Sequence, residues 1–203
     1  MVLVGTVAAL GLIVAAAVNA VYWTKGVDGN AGDAVATAQL EAPKQGRLAA
    51  FIINKTPEAI KSSPFRAAIG NGEPTDIALK NWRGRVVLLN LWATWCAPCR
   101  FEMPTLDKLQ AKLGGADFEV LALSLDRSGF AKPRAFYADI GLKNLKLYND
   151  KASALARGLG ALGLPTTVLI DRQGRELGRM VGPAEWDSDD AIALIRSAID
   201  AKS

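Results

Sequence analysis

A nearly continuous apolar run, RVVLLNLW from Arg85 to Trp92, leads almost directly into WCAPC, Trp95 to Cys99. The run has strand length, and its lack of polar alternation is what a strand covered on both faces requires. After Pro98, the residues Met103, Leu106, Leu109, Gln110 and Leu113 recur at helical spacing. A buried strand therefore passes into a helix at the cysteine pair, which leaves few architectures open.

The rest of the chain extends the pattern. FEVLALSL (Phe118 to Leu125) reads as a second buried strand and Lys132 to Ile140 as a helix; a short strand follows around Leu145 to Tyr148, then a helix around Ala152 to Leu159. Such alternation predicts a parallel α/β core. TTVLID and RELGRMVG flank the turn Arg172-Gln173-Gly174 and predict an antiparallel hairpin. Asp187 is the expected N-cap of a last helix carrying Ile192, Ile195 and Ile199, with Asp190 at N3.

The amino-terminal part has a different character. From Val2 to Trp23 no side chain is charged, and about 20 apolar residues suffice to cross a bilayer core. Tyr22, Trp23 and Lys25 suit an interfacial collar. A cleaved signal peptide, with small residues at Val18 and Ala20, is the competing reading, but the run outlasts an ordinary signal core and no basic segment precedes it. Residues 1–24 are thus expected to be a transmembrane anchor, 25–63 a stalk or linker in which RLAAFIINK can form an amphipathic helix, and 64–203 the globular domain. The charges flanking the apolar run do not fix its orientation.

Composition removes several classes of function. The chain has no histidine, so it lacks the commonest metal ligand and the usual general base near neutral pH. Its net charge of +4 is spread along the sequence without a dense basic run among aromatics, which argues against nucleic acid. The only two cysteines are three positions apart, so they form neither a disulfide framework nor, without a second ligand pair, a zinc site. No metal and no cofactor is expected.

At the start of a helix, Cys96 meets unpaired amide N–H groups and the positive end of the helix dipole, which favour the reactive thiolate. The two intervening residues let Cys99 approach it within disulfide range, one turn deeper. Cys96 is expected to attack a partner disulfide and Cys99 to resolve the mixed disulfide. Trp95 is read either as a docking face for the partner or as cover for the helix start; Trp92 is read as core.

NLWATWCAPCRFEMPTL and GLPTTVLID resemble the TlpA/ResA/CcmG group of extracytoplasmic, membrane-anchored thiol reductases, over roughly Pro64 to the C-terminus. The resemblance implies a thioredoxin-like α/β fold with a central βα insertion, preceded by an N-terminal transmembrane helix. It also implies that Pro165 is cis and faces the active disulfide, with Leu164 offering its backbone to the partner. Asn90 stands where thioredoxin has a buried aspartate and cannot accept the proton of the resolving thiol. Glu102 matches an active-site glutamate that exchanges protons with Cys99 in ResA-like reductases; its competing reading is a solvated acid favouring the helix dipole.

The function so implied is disulfide reduction by a monomer in the bacterial inner membrane, single-pass, with its C-terminal domain in the periplasm. The implied partners are a membrane dithiol electron donor and proteins with oxidised cysteine pairs: a copper-delivery protein, the copper-binding subunit of cytochrome oxidase, or apocytochrome c. A copper(I) chaperone is the first alternative, less well matched without histidine or a methionine cluster. A thiol peroxidase is the second, and it needs an activating Thr/Pro and Arg constellation around a lone thiol, whereas WCAPC fits disulfide exchange. A disulfide oxidant stays open, because direction is set by potential and by partners, neither visible in a motif.

Overall fold

The computed structural model describes residues 37–43, 46–68 and 73–201. The expected transmembrane anchor, residues 1–24, lies outside the described residues.

Eight strands form one mixed sheet: β1 (Ile52–Ala59), β2 (Phe65–Ala68), β3 (Thr75–Ile77), β4 (Val86–Trp92), β5 (Phe118–Ser124), β6 (Leu147–Asn149), β7 (Thr166–Ile170) and β8 (Arg175–Val181). Their spatial order is β1-β8-β7-β4-β5-β6-β2-β3. The α-helices that lie wholly within the described residues are α1 (Ala97–Leu113), α2 (Ala131–Ile140), α3 (Ala154–Gly158) and α4 (Asp189–Asp200). β4 is central, parallel to β5 and antiparallel to β7, and all of its side chains are buried.

Its two faces serve different cores. Val86, Leu88 and Trp92 join Met103, Leu106 and Leu109 of α1 and Leu194 and Ile195 of α4 in one cluster. Val87, Leu89 and Leu91 join Leu155 of α3 and Trp82 in the other. Because successive strand residues alternate between faces, Asn90 shares its face with Leu88 and Trp92. The one polar residue of β4 therefore points toward α1, the helix that carries the cysteines.

Two segments differ from expectation. Residues 25–63 are expected to form a linker, yet Leu40, Leu48 and Phe51 are buried in the α1-side core, and Ile52–Ala59 pairs antiparallel with β8. RLAAFIINK forms a 3₁₀ turn (Arg47–Ala50) and the start of β1 rather than an amphipathic helix. The reason is edge chemistry: without β1, the outer N–H and C=O groups of β8 would be unpaired. As an edge strand, β1 tolerates Pro57. The folded unit thus begins well before Pro64.

The N-cap of α4 is Ser188, whose hydroxyl accepts from the N–H of Ala191. The expected cap, Asp187, pairs instead with Lys108 of α1 at 3.0 Å. Between Cys99 and Pro165, the interval in which the resemblance places a central βα insertion, the chain runs through α1, β5, α2, β6 and α3.

Candidate active site

Cys96 is the N-cap of α1 and ends the short turn that leaves β4 at Trp92. Its N–H donates to the carbonyl of Ala93, and its sulfur accepts from the N–H of Cys99 at 3.3 Å. That contact is the hydrogen bond expected of an N-cap acceptor, and in the reduced protein it favours a thiolate at Cys96. The pair forms a disulfide with an S–S distance of 2.05 Å and a Cα–Cα distance of 5.3 Å. Cys96 is 6% exposed and Cys99 fully buried, so an incoming partner meets Cys96 first.

The turn that presents Cys96 is fixed from below by Asp126. Its carboxylate accepts from the N–H of Thr94 at 2.9 Å, the Thr94 hydroxyl at 2.6 Å and the Ser124 hydroxyl at 2.8 Å. Nothing in the local sequence ties Asp126 to the cysteines; the parallel pairing of β4 and β5 brings it there.

Trp95 is 70% exposed, so it does not cover the helix start. It lines a groove of about 620 Å³ together with Leu125 to Ser128, Ser153 and the segment Ala161 to Leu164. The Leu164–Pro165 peptide bond is cis, and the carbonyl of Pro165 accepts from the N–H of Gly182 at 2.9 Å. Trp95 and Leu164 thus border the same groove. Arg100 lies over the Phe136 ring at 5.4 Å, and Phe101, not singled out from sequence, is 79% exposed on the other flank beside Pro98.

Glu102 is not a solvated helix-start acid. It is fully buried, three residues after Cys99 on α1 and so on nearly the same helical face. One oxygen accepts from the Asn90 amide at 2.7 Å. The other accepts from the N–H of Ala184 and the indole N–H of Trp186, both at 3.0 Å. Asn90 also donates to the Thr167 hydroxyl at 2.9 Å, while its own amide oxygen is buried without a partner.

These contacts act on the proton of Glu102 in opposite senses. Burial disfavours the carboxylate and raises the pKa, whereas the donors Ala184, Trp186 and Asn90 lower it. Burial wins, leaving the group at about 7 instead of 4.5. A carboxyl at that value can take up or release a proton near neutral pH, which suits an acid–base role. Trp186, Ala184 and Thr167 were not singled out from sequence, and no local signal marks them: they reach Glu102 or Asn90 across 77 to 84 residues.

Residues 55–195 match the Redoxin family. The chain belongs to the Redoxin family. Among similar proteins, the thiol-disulfide oxidoreductase ResA of Bacillus thuringiensis subsp. konkukian is 34% identical over 118 residues, covering 54% of this chain and 62% of that protein. The thiol:disulfide interchange protein HelX of Rhodobacter capsulatus is 32% identical over 113 residues, covering 56% and 60%. The matched part therefore spans a little under two thirds of the length of these relatives. A Chlorobium tepidum crystal structure assigned as thiol:disulfide interchange protein DsbE superposes with a TM-score of 0.61 at 29% identity, covering 70% of this chain and 96% of that one. These similarities establish the thioredoxin-like fold.

Proposed function

We propose that this Redoxin chain is a thiol–disulfide oxidoreductase that acts as a reductase of partner proteins. The observation that carries the reading is the asymmetric pair: Cys96 at a helix N-cap and 6% exposed, Cys99 fully buried one turn below, and a buried Glu102 with a raised pKa on nearly the same helical face. The names of the ResA, HelX and DsbE relatives support it.

The reaction balances as follows. The Cys96 thiolate attacks one sulfur of the partner disulfide, forming a mixed disulfide and releasing the other partner sulfur as a thiolate that takes up a proton. Cys99 then gives up its proton, with Glu102 as acceptor, and attacks the Cys96 sulfur. The second partner thiol leaves, two electrons have passed to the partner, and the chain holds the Cys96–Cys99 disulfide. Glu102 returns its proton when an external dithiol reduces the pair again.

In this reading residues 1–24 anchor the chain as a single-pass protein of the bacterial inner membrane, with the folded unit in the periplasm, and a membrane dithiol protein supplies the electrons. The partners are periplasmic proteins with oxidised cysteine pairs, in copper-centre assembly or cytochrome c maturation, and the chain works as a monomer. The apolar run before Lys25 and the resemblance to anchored reductases support this assignment.

Two measurements test the function. Cys99→Ser is expected to accumulate mixed disulfides through Cys96, and Cys96→Ser to form none; equal trapping by both variants contradicts the assigned roles. The midpoint potential of the pair is expected near or below about −270 mV, as for thioredoxin, whereas about −120 mV would mark a disulfide donor.

A further inference from the structure

Several basic side chains near the sheet have an acidic partner: Lys146 and Arg85 on Glu119, Arg175 on Asp171, Arg179 on Glu176, Arg172 on Asp117. The groove beside Trp95 is different. Arg127 from the β5–α2 connection, Lys132 from the first turn of α2 and Arg157 from α3 line it, all exposed, and none forms an ion pair among the described residues. The only acidic lining residue is Asp126, which is buried and whose oxygens are taken by Thr94 and Ser124. Exposed apolar side chains line the same groove, with Leu162 99% and Trp95 70% exposed.

A groove lined by both cationic and exposed apolar side chains selects by charge as well as by shape. Three like charges brought together by three separate elements, with no exposed carboxylate among them, give a local positive potential that raises the encounter rate with acidic segments. Trp95, the neighbour of Cys96 in the chain, lines this groove and so places it beside the reactive sulfur.

We infer that this groove recognises an acidic partner segment: an extended stretch with carboxylates facing Arg127, Lys132 and Arg157, and an apolar side chain beside its cysteine resting on Trp95 and Leu162. The inference rests on the proposed reductase function and specifies its substrate class.

The test uses the full chain, reduced, and three synthetic disulfide peptides alike except for flanking residues that are Asp/Glu, Ser or Lys. Reduction is followed by stopped-flow tryptophan emission. At low salt the acidic peptide is expected to react about tenfold faster than the neutral one and the lysine peptide more slowly, with the differences collapsing at about 1 M salt, where the screening length is about 3 Å. In the double variant Arg127→Glu/Lys132→Glu the acidic-to-neutral ratio is expected to fall to one or below, and in Arg127→Lys/Lys132→Arg to persist. Reading the ratio within each variant cancels any general loss of activity. If the neutral peptide is reduced and the acidic one is no faster, or the preference survives charge reversal, the groove assignment is overturned while the reductase reading stands. If none of the peptides is reduced, the reductase reading itself fails, and the groove assignment with it.

Discussion

The indole Nε1–H of Trp186 donates to Oε2 of Glu102 at 3.0 Å, joining residues 84 positions apart in a buried contact directly below the cysteine helix. Together with the N–H of Ala184 and the amide of Asn90, it gives a carboxyl group that burial would otherwise keep neutral three good reasons to ionise. The balance near pH 7 has consequences for stability and for the resolving step.

Glu102→Gln should change how stability depends on pH. The folded chain holds the Glu102 proton more tightly than the unfolded chain does, with a pKa of about 7 against 4.5. This stabilisation is fully present below pH 4.5 and is lost as pH rises through 7, a loss of about 3 kcal/mol. Glutamine lacks the titration, and if the Asn90 amide turns over, its unpartnered oxygen gains the glutamine amide as donor. Urea unfolding of the oxidised proteins from pH 4 to 8 is expected to show the variant gaining on the wild type by about 3 kcal/mol across that range. Parallel curves would refute the assignment of the proton.

Trp186→Phe removes one donor from the carboxylate while keeping an aromatic ring in the core. A hydrogen bond to a charged group contributes about 1.5–3 kcal/mol, so the Glu102 midpoint should rise by about one pH unit or more. The pH profile of mixed-disulfide resolution by Cys99 should move by the same amount. A profile that stays in place would disconnect Trp186, or Glu102 itself, from that step.

Asp126→Ala strips the acceptors from the Thr94 N–H, the Thr94 hydroxyl and the Ser124 hydroxyl. Leaving one buried and two half-buried donors unpaired is expected to cost about 2–4 kcal/mol in urea unfolding. Because Thr94 lies in the turn before Cys96, attack on a small disulfide should also slow, and Asp126→Asn, which keeps one oxygen, should lose less of both.

Gly178→Ala tests the docking of β1. A Cβ there would run into the carbonyl of Ile52 and come within 2.7 Å of the Phe51 ring. Overpacking of this kind costs about 1–3 kcal/mol, and amide hydrogen exchange should accelerate in Ile52–Ala59 while β4 stays protected. Unchanged exchange in β1 would mean that the strand adjusts without strain.

The amino-acid order alone determined the central strand β4, the helix beginning at the cysteine pair and the β7–β8 hairpin. Each rests on short-range physics: a nearly continuous apolar run, a proline in the first helical turn, and turn residues between two strand-length runs. It likewise located Cys96 and Cys99, because the reactivity of a thiol at a helix start is a local electrostatic property. Tertiary structure alone decided what depends on distant partners. β1 looked like linker because an edge strand with polar residues and a proline carries little pattern of its own, and it forms because β8 offers an open edge. Glu102 looked equally suited to solvent or to chemistry; its state follows from Ala184 and Trp186 closing over it and Asn90 lying beneath it. Burial and hydrogen bonding from segments remote in the chain set a carboxyl pKa, and sequence spacing carries no record of them.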